Sequence, residues 1–117
     1  MFAIDMYSRA PIYEQLYKRV AELVMQGALE SDDKLPTVRM LAKELGVNPN
    51  TVQKAYQELE RDGIIYSQAG RGSFISPLDT SKEIIKEKII TEFRAAVVQA
   101  LRVGLQKPEL IMEIERC

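Results

Sequence analysis

A short junction between two amphipathic segments most constrains the fold of this chain. Apolar residues recur at helical spacing on both sides of the sequence Leu45-Gly46-Val47-Asn48-Pro49. Gly46 can adopt the left-handed conformation that ends a helix, and Asn48 can cap the next one. Pro49 suits the first helical position, because the N–H that it lacks would be unpaired there. The junction therefore predicts two helices joined by a turn of a few residues.

The apolar spacing predicts three helices and a hairpin around this junction. The first helix runs from Pro11 to about Gln26, the second begins after the capping residue Thr37, and the third ends near Asp62. The β-branched and aromatic runs 64–67 and 73–75 flank a turn that contains two glycines, which predicts a β-hairpin. This order of elements predicts a winged helix-turn-helix over residues 1–76, with its third helix presented to the major groove of DNA.

The last part of the chain, residues 77–117, predicts one long helix from Ser81 to about Gly104 and a short one after Pro108. It is too short for an independent core, because chains below about 40 residues rarely fold alone. The apolar stripe of the long helix must nevertheless be buried, and a second copy of the chain would bury it in a dimer. The residues assigned to dimerisation are Ile85, Ile89, Phe93, Ala96 and Ala100. The alternative is that this helix covers its own winged domain and that the protein is a monomer.

Composition excludes several function classes. The 117 residues include no histidine and a single cysteine, Cys117, so the commonest general base and a cysteine-based metal site within one chain are absent. We therefore expect neither an enzyme nor a cofactor. No apolar run approaches the roughly 20 residues that span a bilayer, and residues 1–5 do not resemble a secretory signal, so we expect a cytoplasmic protein without a membrane partner. The net charge is −1, but residues 34–76 carry six basic and four acidic side chains.

Five short motifs carry a family resemblance that covers residues 11–76. They are 35–42 (LPTVRMLA), 45–52 (LGVNPNTV), 55–59 (AYQEL), 62–63 (DG) and 70–74 (GRGSF). Their joint order and spacing closely resemble the DNA-binding domain of GntR-family transcriptional regulators. The resemblance implies a mainly α fold with a small β-hairpin, made of a winged helix-turn-helix domain and a C-terminal helical segment. Residues 48–52 resemble the YtrA branch of short members, which implies dimerisation through the C-terminal helices.

The candidate DNA-contacting residues lie at the start of the third helix and at the hairpin tip. Asn and Gln side chains can pair with adenine through two hydrogen bonds, and an arginine at a glycine-rich tip can enter the minor groove. The family resemblance adds Arg39. The assigned residues are Arg39, Asn48, Asn50, Thr51, Gln53, Lys54, Gly70, Arg71 and Gly72. Many family members carry arginines where this chain has Pro49 and Gln53, so their guanine contacts are not transferred.

The resemblance implies a repressor that binds a (pseudo)palindromic double-stranded DNA operator as a homodimer. By analogy with the branch, it controls transporter or stress genes; release by a small-molecule effector is left open, because no residue pattern marks a pocket. A different class of function also remains, since some winged helices are protein-interaction scaffolds that do not touch DNA. That alternative predicts no salt-dependent DNA binding and no effect of changing Arg71 or Lys54.

Overall fold

The computed structural model describes residues 2–117, so only Met1 of the proposed 1–76 domain lies outside the described residues. The described chain is mostly helical and has one antiparallel hairpin, as the sequence predicts. Its elements are α1 (Ile12–Met25), α2 (Val38–Leu45), α3 (Pro49–Asp62), β1 (Ile65–Gln68), β2 (Gly72–Ile75), α4 (Leu78–Arg102) and α5 (Lys107–Arg116).

The junction between α2 and α3 forms as the sequence predicts. The Thr37 hydroxyl accepts a hydrogen bond from the Met40 N–H at 3.1 Å and caps α2. Gly46 ends that helix with φ +70°, a conformation that costs a residue with a Cβ roughly 1–2 kcal/mol. The Asn48 side chain then accepts from the Asn50 N–H at 2.8 Å and caps α3, whose first residue is Pro49. The turn is fixed by local chemistry at each of its ends.

The core of the first part of the chain lies where α1 and α2 pack against α3. The side of α3 that faces it carries Val52, Ala55 and Leu59, all fully buried. Leu16 and Leu41 meet them from α1 and α2. Burial of each large side chain of this kind stabilises the fold by roughly 1.5–3 kcal/mol. The opposite side of α3 is thereby left facing outward.

The hairpin predicted for residues 64–75 is present, with Gln68 opposite Gly72 at its tip. Its first strand begins at Ile65 rather than Ile64, because Ile64 continues the end of α3 with a hydrogen bond from its N–H to the Leu59 carbonyl at 2.9 Å. The segment before α2 adds to the other edge: residue 34 pairs with Phe74 in an isolated antiparallel bridge. The wing is thus attached on one side to the chain that leads into α2.

Helix α4 begins at Leu78, before the predicted start at Ser81, because the Ser31 hydroxyl accepts a hydrogen bond from the Leu78 N–H at 2.8 Å. Ser81 is fully buried and Ile85 is 2% exposed in the core of the same chain. The assignment of Ile85 to dimerisation is therefore wrong, since its own winged domain covers it. The first of two compact units accordingly extends to Ile85, beyond the proposed boundary at residue 76.

The second unit, Lys86–Cys117, contains the rest of α4 and all of α5. The short last helix packs along the apolar stripe of α4, and the two helices line an open groove of about 340 Å³. Its lining residues are Phe93, Ala96, Val97, Ala100, Leu110, Glu113, Ile114 and Cys117. Ile89 and Phe93 nevertheless remain 54% and 49% exposed. Within residues 2–117, no helix is both long and apolar enough to cross a membrane.

Candidate nucleic-acid interface

The outward side of α3 carries most of the predicted DNA contacts. Asn48, Asn50, Gln53 and Lys54 are exposed, and Thr51 is half-buried. The dipole of a helix favours anions near its first turn, so phosphate oxygens are attracted to this end of α3. The amide side chains can hydrogen-bond base edges at the same end. The geometry suits an approach to DNA by the N-terminal half of α3.

A groove of about 550 Å³ separates α3 from the wing. Gln53 lines it from α3, and Gly70, Arg71 and Gly72 line it from the hairpin tip. The fold therefore brings Gln53 together with the three residues of the hairpin tip, so four of the nine predicted DNA-contacting residues line one groove. The other five do not line the groove. They are Arg39, Asn48, Asn50, Thr51 and Lys54.

The charges on this surface are mostly uncompensated cations. Arg39 and Arg71 are exposed, and neither forms an ion pair within residues 2–117. In particular, the described chain contains no ion pair between Arg39 and Glu44 of the same helix. Exposed cations without a protein partner can neutralise phosphates, and that neutralisation is the main source of sequence-independent DNA affinity.

Lys54 is positioned by α1 rather than by the groove. Its Nζ lies 3.9 Å from the centroid of the Tyr13 ring, within the range of a cation–π interaction. Such a contact contributes about 0.5–1 kcal/mol at an exposed site and preserves the positive charge. Lys54 therefore presents its charge on the side of α3 that adjoins α1.

Two tyrosines fix the position of α3. The Tyr56 hydroxyl donates to the Pro36 carbonyl at 2.7 Å, which ties α3 to the segment that leads into α2. The Tyr17 hydroxyl of α1 donates to the Asp62 carboxylate at the other end of α3. Burial raises the pKa of both phenols, and the carboxylate raises the pKa of Tyr17 further. Both groups stay protonated near neutral pH, so both remain donors.

A third tyrosine fixes the wing. The Tyr66 hydroxyl of β1 donates to the Asp32 carboxylate at 2.6 Å, and this hydrogen bond raises the Tyr66 pKa. The Tyr66 ring stacks on Phe74 of β2 with centroids 5.5 Å apart. Asp32 itself adopts φ +65°, and its N–H donates to the Ile75 carbonyl at 2.8 Å. These contacts hold the hairpin against the segment before α2.

The model of the bacterial regulatory proteins of the gntR family matches residues 12–75. The chain belongs to the GntR family. Like other GntR proteins it is a winged helix-turn-helix transcription regulator and not an enzyme. The resemblance noted from the motifs at 35–74 is thereby confirmed.

Similar proteins place this GntR regulator near short members of the family. It is 44% identical over 101 residues to the HTH-type transcriptional repressor YtrA of Bacillus subtilis, which covers 86% of this chain and 76% of that protein. A GntR family transcriptional regulator from Listeria monocytogenes is 30% identical with a TM-score of 0.76, over 97% of this chain and 99% of that one. YtrA from Sulfolobus acidocaldarius is 33% identical with a TM-score of 0.61, over 97% and 93%. These likenesses confirm the YtrA-like assignment.

The similar structures include complexes with operator DNA. The AraR DNA-binding domain in complex with operator ORE1 is 30% identical with a TM-score of 0.55, and the match covers 63% of this chain and 90% of that domain. The shared part of this GntR regulator corresponds in size to its winged domain.

The groove of this GntR regulator also contains residues that sequence reasoning did not assign to DNA. They are Lys34, Thr37, Val38, Tyr56, Gln57, Glu60, Ser67, Gln68, Ala69 and Ser73. The helical pattern places Gln57 on the polar side of α3, which was a usable signal. For Lys34 no local signal existed, because its place in the groove follows from pairing between residue 34 and Phe74, which are far apart in the sequence.

Proposed function

We propose that this protein is a transcriptional repressor that binds a (pseudo)palindromic DNA operator as a homodimer. The observation that carries the proposal is that Gln53 of α3 and Arg71 of the wing line the same groove. A winged helix-turn-helix inserts its recognition helix into the major groove. A wing beside that helix can then reach the adjacent minor groove. The convergence of both elements on one exposed surface supports this mode of binding.

Helix α3 reads bases in this proposal. Asn50 and Gln53 offer amides that can pair with adenine through two hydrogen bonds, and the Thr51 methyl can contact thymine. Asn48 and Lys54 contact the backbone beside them. Because the first and fifth residues of α3 are Pro49 and Gln53 rather than arginines, the proposed operator contacts do not include arginine–guanine pairs at those places.

Arg71 and Arg39 provide the cationic contacts. Arg71 lies between two glycines, Gly70 with φ +77° and Gly72 with φ +118°, so the backbone on both sides can approach DNA closely. A narrow minor groove attracts an inserted arginine because its potential is strongly negative. Arg39, exposed on α2 and without an ion pair in the described chain, contacts a phosphate next to α3.

The second unit forms the proposed dimer. Four of the five residues assigned to dimerisation remain candidates: Ile89, Phe93, Ala96 and Ala100. Ile89 and Phe93 expose about half of their surfaces, and the neighbouring α4–α5 groove is almost entirely apolar. A second copy that covers this stripe would place two recognition helices on half-sites about 34 Å apart, or a multiple of that distance.

The repressor role is supported by the repressor YtrA, to which the chain is 44% identical. The proposed place of action is the cytoplasm, where a bacterial regulator meets DNA. Control of transporter or stress genes, and release by a small-molecule effector, extend the proposal by family analogy alone.

Fluorescence anisotropy across a salt series tests the proposal. The purified protein is titrated into labelled DNA from upstream of its own coding region and into a scrambled control, and a selection from random sequence supplies an operator if the upstream DNA is not one. We expect tight binding by two protomers, with log affinity falling linearly with log salt. Equal, weak and salt-independent binding to every DNA would contradict the proposal and favour a protein-interaction scaffold.

Replacing Gln53 with alanine tests base reading. The substitution Gln53→Ala should weaken operator binding by about 1–3 kcal/mol per half-site, because one pair of hydrogen bonds to a base is lost in each. Binding to scrambled DNA should change much less. The matched control is Gln26→Ala, which removes the same side chain at the exposed end of α1. An equal loss on operator and scrambled DNA would show that Gln53 does not read bases.

A further inference from the structure

The placement of Lys34 adds a residue to the proposed interface. The backbone around it is fixed by three hydrogen bonds to β2: Leu35 N–H to the Ser73 carbonyl at 2.9 Å, Asp32 N–H to the Ile75 carbonyl at 2.8 Å, and Ile75 N–H to the Asp33 carbonyl at 2.9 Å. Lys34 thus lies in a segment that is bridged to the outer edge of β2. A side chain on such a segment has a defined position relative to the hairpin.

The Lys34 side chain lies across Gly72. Its Cε is 3.1 Å from the position that a Cβ on Gly72 would occupy, closer than ordinary van der Waals contact. The missing side chain at Gly72 therefore makes room for the lysine stem as well as for the turn. Lys34 is exposed, lines the groove between α3 and the wing, and forms no ion pair within the described part of the chain.

The position of this groove determines what Lys34 can meet. A protein that places a helix in the major groove and a wing in the adjacent minor groove must straddle the sugar–phosphate strand that separates them. In the proposed mode of binding, that strand would pass through the space between α3 and the wing. The lining of this space contains two basic side chains, Lys34 and Arg71, and one acidic side chain, Glu60, so its net charge is positive.

We propose that Lys34 binds a phosphate of the DNA strand that runs between the recognition helix and the wing. This inference rests on the proposed function and deepens it, because it assigns a contact that positions the protein on DNA without reading sequence. A lysine is suited to this task as a flexible point charge with three donors. Its contribution to affinity should therefore be the same for every DNA sequence.

The test compares Lys34→Gln with the wild-type protein in the anisotropy salt series. Each lost phosphate contact should reduce the slope of log affinity against log salt by about 0.9, or about 1.8 for a two-protomer complex. The affinity for operator and for scrambled DNA should fall by the same factor. Lys34→Arg should retain the wild-type slope, and Lys18→Gln, an exposed lysine of α1 outside the groove, should leave it unchanged.

Three outcomes would overturn the inference, and they can be told apart. An unchanged slope in folded Lys34→Gln, with normal wild-type binding, would refute the phosphate contact and leave the proposed function intact. A loss confined to the operator would make Lys34 a base-reading residue instead. An absence of salt-dependent binding by the wild-type protein would refute both proposals. Circular dichroism of each variant establishes that it is folded.

Discussion

Ile89→Asp is expected to convert the proposed dimer to a monomer and to weaken operator binding by about 10²- to 10⁴-fold. Ile89 is 54% exposed, and it does not line the groove between α4 and α5. A charge there would have to be buried without a partner in a dimer, whereas it costs little in a monomer. The two protomers would then bind their half-sites independently. The affinity that the dimer gains from the high effective concentration of its second protomer would be lost. Sedimentation equilibrium and anisotropy on the operator measure the two effects.

Val98→Asp provides the matched control. It introduces the same charge at another exposed aliphatic residue of α4, 41% exposed. Because it lies nine residues after Ile89, it projects from about the opposite side of the helix. We expect Val98→Asp to remain dimeric. A monomeric Val98→Asp with a dimeric Ile89→Asp would move the interface to the other side of α4, and two dimeric variants would contradict dimerisation through this helix.

The parts of the fold that sequence predicted are those set by neighbours in the chain. Gly46, Asn48 and Pro49 define the α2–α3 turn through their own conformational and capping preferences, so the structure repeats the prediction residue by residue. The limits of α1 and α3 follow in the same way from caps and apolar spacing. The start of the first wing strand is predicted to within one residue. The difference is Ile64, whose N–H bonds to the end of α3 instead of to the hairpin.

The parts that sequence did not predict depend on contacts between distant segments. Ile85 and Ile89 belong to one helical stripe, and periodicity cannot say that the winged domain covers the first while the second stays exposed. Likewise, nothing near Lys54 in the sequence indicates that it lies over Tyr13. Sequence pattern identifies which side of a helix is apolar or polar, and the tertiary fold decides what each residue meets.

Ile85→Ala is expected to destabilise the winged domain by about 2–5 kcal/mol, the usual cost of removing a large aliphatic side chain from a packed core. Ile85 is 2% exposed within its own chain, so the loss does not require a second copy. Truncation after Pro77 would remove this residue together with the buried Ser81, and would confound folding with dimerisation. A point substitution separates the two effects.

Urea unfolding of Ile85→Ala should be measured in the Ile89→Asp background, because the apparent stability of a dimer depends on protein concentration. Ile90→Ala is the control in that background. It makes the same change at a residue that is 45% exposed, and should cost less than about 1 kcal/mol because little buried surface is lost. Equal, small losses for both variants would contradict the packing of α4 against the winged domain. A large loss for Ile85→Ala alone would establish that the first turns of α4 belong to the DNA-binding unit.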